Sequence, residues 1–160
     1  LQTPYIFQGS VLENIVFADD VSQEMRQQAT AIADQIGLTH LLRTVPTGLD
    51  TMIGQGGQQL SGGQTALLLV ARALYRESDV LFLDEMTDNL DMESEHALVE
   101  ALDSLLNGRA TWIIAHRLQT LRKVDCIYVM RHGQVVDSGR YEDVVDHGGH
   151  FIAKGASAHA

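Results

Sequence analysis

The chain has 160 residues, of which 45% are hydrophobic and 20% charged, and its 21 acidic against 11 basic residues leave a formal charge of −10. Such a composition supports one compact domain, excludes wholesale disorder, and disfavours a bulk electrostatic grip on nucleic acid or anionic lipid. The single cysteine, Cys126, excludes an internal disulfide and a multi-cysteine metal cluster, and no apolar stretch has the length of a membrane span, so direct insertion by this segment is not expected.

The run Leu1-Gln2-Thr3-Pro4-Tyr5-Ile6-Phe7 enters without an initiating methionine or a polar lead-in, whereas Gly155 to Ala160 is small and weakly patterned. The expected reading is a domain cut at its start and complete, or nearly so, at its end. Asp20 to Gly37 reads as the first firm helix. Asp20 with Gln23 matches a capping box, with Ser22 as the alternative cap, and Val21, Met25, Ala29, Ile32, Ala33 and Ile36 recur at helical spacing. A short helix is expected over Thr39 to Leu42. The stretch from Arg43 to Gln59, with Pro46 and several glycines, reads as loop.

Gly63 to Tyr75 is rich in strong helix formers, and its wide apolar face predicts a helix buried against a sheet. Val80-Leu81-Phe82-Leu83 follows as an uninterrupted apolar strand, expected to be a central parallel strand covered on both faces, and it stops at Asp84-Glu85. Asp91 to Leu106 is a second strong helix and Ala110 to Ala115 another short strand. Leu118 to Val124 reads as helix, Cys126–Met130 and Gln134–Asp137 as a hairpin around His132-Gly133, and Tyr141 to Asp146 as a closing helix. This alternation predicts a three-layer α/β architecture with an antiparallel edge at its end.

Three places are suited to chemistry. Leu60-Ser61-Gly62-Gly63-Gln64 runs straight into a helix, so two glycines, the unpaired N–H groups of the helix start and the Ser61 hydroxyl form a receptor for an anion such as phosphate. An ordinary glycine turn with a serine cap remains the plain alternative. Asp84 and Glu85 stand at the carboxyl end of a predicted parallel strand, where open α/β sheets place ligands. One such carboxylate can hold a hydrated divalent metal while the next reaches a water; exposed acidic pairs are also common on surfaces. His116 ends the following strand, within reach of a phosphate oxygen or a carboxylate. A hydrolase triad of Ser61, Asp84 and His116 is rejected, because no G-x-S-x-G elbow is present. His147 and His150 read as hydrated surface.

Taken together, these segments make the chain resemble the nucleotide-binding domain of an exporter-type ATP-binding cassette (ABC) transporter. Leu60 to Gln64 reproduces the LSGGQ signature, Val80 to Glu85 is similar to the Walker B strand with its following glutamate, and Met86 to Asp91 to the D-loop. His116 stands where the switch histidine belongs, Gln2 resembles the Q-loop glutamine, and Phe7 to Ile15 is like the exporter segment that follows it. The resemblance implies a partial P-loop NTPase core with an inserted helical subdomain. About 15–75 would form that subdomain with the signature helix, and about 76–160 the C-terminal part of the ATPase core. It implies ATP and Mg²⁺ as cofactors, and pairing with a second nucleotide-binding domain, identical or different, and with a transmembrane domain. The setting would be the cytoplasmic face of a membrane, a bacterial inner membrane in particular, with no nucleic-acid partner.

Carried onto these residues, the resemblance gives Ser61, Gly62, Gly63 and Gln64 contact with ATP held mainly by the opposite subunit. Asp84 would hold Mg²⁺ through water, Glu85 would polarise the attacking water, and His116 would contact the γ-phosphate. Asp91 would communicate across the dimer, and Gln2 would couple metal and water to the membrane domain. Thr65, Ala66 and Leu67 depart from the polar residues usual after the signature, Asp88 from the small D-loop residue, and Gln55 from the exporter glutamate. No G-x-x-x-x-G-K-[ST] is present, and the only lysines are Lys123 and Lys154. By resemblance, about the first third of the domain, with Walker A, is not in this chain. A soluble ABC ATPase without a transport role is the main alternative, and a non-catalytic dimerising signature module a further one.

The 160-residue chain by itself is therefore expected to show negligible ATPase activity, because the β- and γ-phosphates lack their main positioning elements. Robust Mg²⁺-dependent phosphate release from purified chain, abolished by Glu85→Gln, would overturn this.

Overall fold

The computed structural model describes residues 5–84, 92–106, 108–115 and 121–146, which form a mixed helix-and-strand protein in two compact units, Leu1–Trp112 and Ile113–Ala160. The first unit opens with a two-residue strand, β1 (Gly9–Ser10), leading into α1 (Val11–Val16). The helix had no counterpart in the sequence reading, although Ser10-x-x-Glu13 is a capping-box pattern. The Glu13 N–H donates to Ser10 Oγ at 3.0 Å and the Ser10 N–H to Glu13 Oε2 at 2.6 Å. Phe17 closes α1 in the left-handed region, φ 61°, with its N–H on the Glu13 carbonyl.

Next comes α2 (Gln23–Gln35), which starts later than expected: Ser22, not Asp20, is its cap, accepting from the Met25 N–H at 3.2 Å. Its buried stripe is carried by Ala29 and Ala33, and Gly37 separates it from α3 (Leu38–Leu41). The predicted loop that follows contains two 3₁₀ turns, Leu42–Thr44 and Gly48–Asp50, and a short strand, β2 (Met52–Ile53). β2 pairs antiparallel with β1, Gly9 opposite Ile53 and Ser10 opposite Met52. Gly54 must follow as glycine, because its φ is +93° and a Cβ there would meet the backbone of Gln8.

The long helix α4 (Gly62–Tyr75) lies at the centre of this unit. Its Leu67, Leu68, Val70 and Ala71 are buried with Val11, Leu12 and Ile15 of α1, Leu38 of α3, and Leu98, Ala101 and Leu102 of α5 (Met92–Leu106). Its main neighbours are α1, α2, α3 and α5. The wide apolar face is therefore met by helices, and the expectation of a sheet beneath it is corrected. A wide stripe records burial on several sides without specifying the kind of neighbour.

β3 (Val80–Asp84) and β4 (Ala110–Ile114) form a two-stranded sheet, and the Ala110 N–H donates to the Asp79 carbonyl at 3.0 Å. β3 alternates in burial. Leu81 and Leu83 are covered, whereas Phe82 is 77% exposed. The expectation of cover on both faces is thus corrected to cover on one. In the second unit, β5 (Ile127–Arg131) and β6 (Gln134–Gly139) form the expected antiparallel hairpin, turning through His132 and Gly133. Tyr141 precedes a wide, π-type turn over Glu142–Asp146 and joins Val144, Ile127 and Leu121 in a small core. The expected helix over Leu118 to Val124 falls partly outside the described residues, and 122–125 is turn. Among the described residues the strands make three separate two-stranded sheets.

The N-terminal segment is fastened to α4 by a polar knot. Asn14 is fully buried, and its side chain makes four hydrogen bonds: Nδ2 donates to the carbonyls of Phe7 (3.1 Å) and Ser10 (3.0 Å), and Oδ1 accepts from the Phe7 N–H (3.2 Å) and Arg72 Nη2 (3.1 Å). Arg72 also donates from Nε to the Asn14 carbonyl and from Nη1 to the Tyr5 carbonyl, both at 2.8 Å. Burial, and then the Arg76 charge, lower the Arg72 pKa from its ordinary value, with Tyr5 acting the other way. A guanidinium stays charged under these conditions, so its hydrogen bonds remain charge-assisted.

Asn14→Ala removes one partner from each of these bonds and leaves buried polar groups unmatched. It is expected to destabilise the chain by about 3 kcal/mol, read as a lower urea midpoint with an unchanged denaturant slope. A loss below about 1 kcal/mol would show that water replaces the amide.

Candidate functional site

The LSGGQ segment folds as the start of α4, with Ser61 as its N-cap in an extended conformation. The Gln64 N–H donates to Ser61 Oγ at 3.2 Å, and the Ser61 N–H donates to Gln64 Oε1 at 2.9 Å, a reciprocal capping box. Gln64 Nε2 reaches further, to the Leu41 carbonyl at 2.9 Å at the end of α3. The Thr65 N–H is taken by the Ser61 carbonyl at 2.9 Å, as the first intrahelical bond.

What the cap leaves follows from helix geometry. The N–H groups of Gly62 and Gly63, the first two helical positions, have no intrahelical acceptor available. Ser61 Oγ, having accepted from Gln64, keeps its own hydrogen to donate. Ser61 and Gly62 are exposed, while Gly63 and Gln64 are buried. No acidic residue stands in the first turn, so the positive end of the helix dipole is not offset there. The serine-cap reading and the anion-receptor reading are consequently compatible: the cap occupies one N–H and leaves two.

The two glycines stand in different surroundings. A Cβ on Gly63 would run into the side chain of Ser94 on α5, so this position is glycine because two helices meet there. Gly62 lies on the exposed side, next to Ser61. The serine cap is legible in the sequence, and Ser61-x-x-Gln64 also encodes the return bond from Gln64, which the expectation above does not include. The sequence has no signal for Leu41 or Ser94, both of which are brought in by tertiary packing.

Asp84 ends β3 and is exposed. The exposed Asp84 carboxylate at a strand end fits a divalent cation that keeps most of its water shell. Among the described residues no group of three His, Cys, Asp or Glu side chains is arranged to hold a metal, and no helix is long and apolar enough to cross a membrane. Gln2, Glu85, Asp91 and His116 lie outside the described residues. The structure thus joins Ser61, Gly62, Gly63 and Gln64 in one cap and sets Asp84 at the end of a strand.

Comparison with known proteins bears on what such a cap serves. The ABC transporter family matches residues 2–88, more than half of the chain and inclusive of the cap and the β3 strand. This chain belongs to the ABC transporter family. Similar proteins include the mouse protein "ATP-binding cassette sub-family B member 10, mitochondrial", 41% identical over 145 residues, which are 90% of this chain and 20% of that protein. The "ATP-dependent lipid A-core flippase" of Ralstonia nicotianae is 38% identical over 92% of this chain and 25% of its own length. The Drosophila melanogaster "Multidrug resistance protein homolog 65" is 38% identical over 92% of this chain and 11% of its own length. The chain therefore spans a quarter or less of each of these ABC relatives.

The Gly63–Ser94 contact can be tested without nucleotide. Gly63→Ala is expected to cost about 1–3 kcal/mol of stability by overpacking, and clearly less in a Ser94→Gly background, where the space is restored. Additive effects of the two substitutions in thermal unfolding would dissociate Gly63 from the packing of α4 on α5.

Proposed function

We propose that this chain is the signature-bearing part of the nucleotide-binding domain of an ABC exporter, which binds ATP, hydrolyses it, and couples the cycle to transmembrane export as one half of a dimer. The observation that carries this reading is the capped start of α4, an exposed pair of donors at Ser61 and Gly62 beside the Gly63 N–H, within a chain of the ABC family. The relatives include a flippase and a multidrug resistance homologue, which favours export over a soluble ABC ATPase.

In this reading Ser61, Gly62 and Gly63 donate to the γ-phosphate of ATP held mainly by the partner domain, and Gln64 holds the cap from behind. Glu85 accepts a proton from the attacking water, whose oxygen forms the new bond to the γ-phosphorus as the bond to the β–γ bridging oxygen breaks, giving ADP and phosphate. His116 donates to the γ-phosphate and orients it. Asp84 would hold Mg²⁺, which when bound would offset charge on the phosphate oxygens. Asp91 communicates across the dimer and Gln2 links the site to the membrane domain.

The division that accompanies this reading is a helical subdomain and signature helix over about 15–75 and the C-terminal part of a three-layer P-loop core over about 76–160. The partners are a second nucleotide-binding domain and a transmembrane domain, at the cytoplasmic face of a membrane. The inner membrane of a bacterium is the setting proposed; the relatives come from a Ralstonia, a mouse and a fly, so they accommodate a eukaryotic setting as well.

In the full-length protein, Glu85→Gln is expected to keep ATP binding and to lower turnover by about 100-fold or more, the scale of a lost general base. A mixed dimer then tests the assignment of the signature to the opposite nucleotide. One subunit carries Gly62→Asp, which sets negative charge at the phosphate contact, and the other a disabled phosphate loop. Both lesions should fall on one composite site and leave one nucleotide trapped per dimer, whereas both lesions in one subunit should leave none. Equal trapping in the two arrangements would remove the trans assignment, and near-normal phosphate release by Glu85→Gln would remove Glu85 from its role.

A further inference from the structure

The knot between Arg72 and the N-terminal segment has no part in the phosphate contacts proposed above, yet it ties together groups far apart in the chain. Three different nitrogens of one guanidinium reach three acceptors, the carbonyls of Tyr5 and Asn14 and the Asn14 side chain, all within the stretch that precedes and forms α1. The flat side of the same region is closed by Phe17. Its ring has Arg72 and Arg76 each 5.0 Å from its centroid, and it meets Tyr5 and Phe7 edge-on at 6.2 and 5.6 Å. Phe17 takes up a left-handed backbone to do this, an uncommon conformation for a bulky residue.

Stability alone is a poor reason for such a group. A partly buried charge gains little over well-packed apolar side chains, because its desolvation offsets its attraction to dipoles. What a rigid fork does give is geometry: three acceptors held by one planar guanidinium set the register and rotation of the helix that carries it. Arg72 lies ten residues beyond Gly62 on α4, so at the helical rise the knot and the exposed donors are about 15 Å apart on one stiff rod. Gln64 anchors the other end of that rod to Leu41.

We propose that Arg72 is a positioning residue: it clamps the Tyr5–Phe17 segment to the signature helix, so that this segment and the Ser61–Gly63 donors move as one body when nucleotide closes the site. The proposal rests on the ATPase reading of that site. It adds a second route into the site, running along α4 from the chain just after Gln2.

The test uses the full-length protein, Mg-ATP as the probe, and Arg72→Lys, which keeps the charge and loses the fork. In hydrogen exchange without nucleotide, the amides of Tyr5–Phe17 should exchange at least about five-fold faster than in wild type while those in the middle of α4 keep their rates, and the apparent KM for ATP should rise by about five-fold, equivalent to about 1 kcal/mol. Turnover per trapped nucleotide should fall less than KM rises. A residue that only stabilises the fold would lower the number of active dimers and leave KM unchanged, and that result, or a raised KM with unaltered exchange over Tyr5–Phe17, overturns the proposal. Wild-type protein supplies an arm that needs no variant: on trapping with Mg-ATP and vanadate, the amides of Tyr5–Phe17 and of Gly62–Thr65 should gain protection together. Protection confined to one of the two overturns the clamp whether or not Arg72→Lys folds. Absence of Mg-ATP turnover in the wild type would instead remove the ATPase reading, and the exchange rates without nucleotide would still report on the fastening.

Discussion

The Arg72 guanidinium organises the first unit. Arg72 is held by carbonyl and amide oxygens, and all of them belong to a stretch that carries little regular structure of its own. β1 is two residues long and α1 six, too short for either to persist by internal hydrogen bonding. Their order comes from the side they share with α4: Val11, Leu12 and Ile15 supply the apolar contact, and Asn14 with Arg72 supplies its register. The knot is also why a helix with buried residues on several sides can sit against α1, α2, α3 and α5 without rotating to a neighbouring apolar face. Hydrophobic burial has no direction, and a fork of three hydrogen bonds has one.

The same division of labour recurs at the start of α4. Gln64 turns its oxygen back to the cap and its nitrogen out to α3, so one buried amide fixes both the end of the helix and its distance from a neighbour. Ser10 and Glu13 cap α1 in the same reciprocal way, at the point where the chain leaves β1. At the start of α4 the Gln64 side chain is occupied with backbone, and the exposed residues are Ser61 and Gly62. A receptor made of backbone varies little with side-chain rotamer, which suits the phosphate contact proposed for it.

The signals in the sequence that survived folding are the local ones. The α4 and α5 segments, the β5–β6 hairpin around His132-Gly133, and the cap at Ser61 each arise within a few residues and are readable from spacing and turn chemistry. Asp20 and Ser22 are both good N-cap residues, and Ser22 is the one whose hydroxyl accepts the Met25 N–H. The α1 helix escaped notice since six residues give no periodicity to read, and its capping box was the only mark. Leu41, Ser94 and the Arg72 acceptors were out of reach for a further reason. They are defined by contacts between segments 23 to 67 residues apart in the chain, or by a clash that exists only once two helices have met. The neighbours of an apolar face are equally hidden: Leu67 and Leu68 announce burial, and nothing in them distinguishes a helix from a sheet as the cover.

The strand pair carries one more consequence. Phe82 on β3 and Trp112 on β4 are left 77% and 57% exposed, and Trp112 is the only tryptophan of the chain. Its indole therefore senses solvent in this form of the protein, and any element that came to rest over that part of β4 would take it out of water. The chain thus contains its own optical reporter of assembly, a single fluorophore whose emission would move to shorter wavelength as that surface is covered.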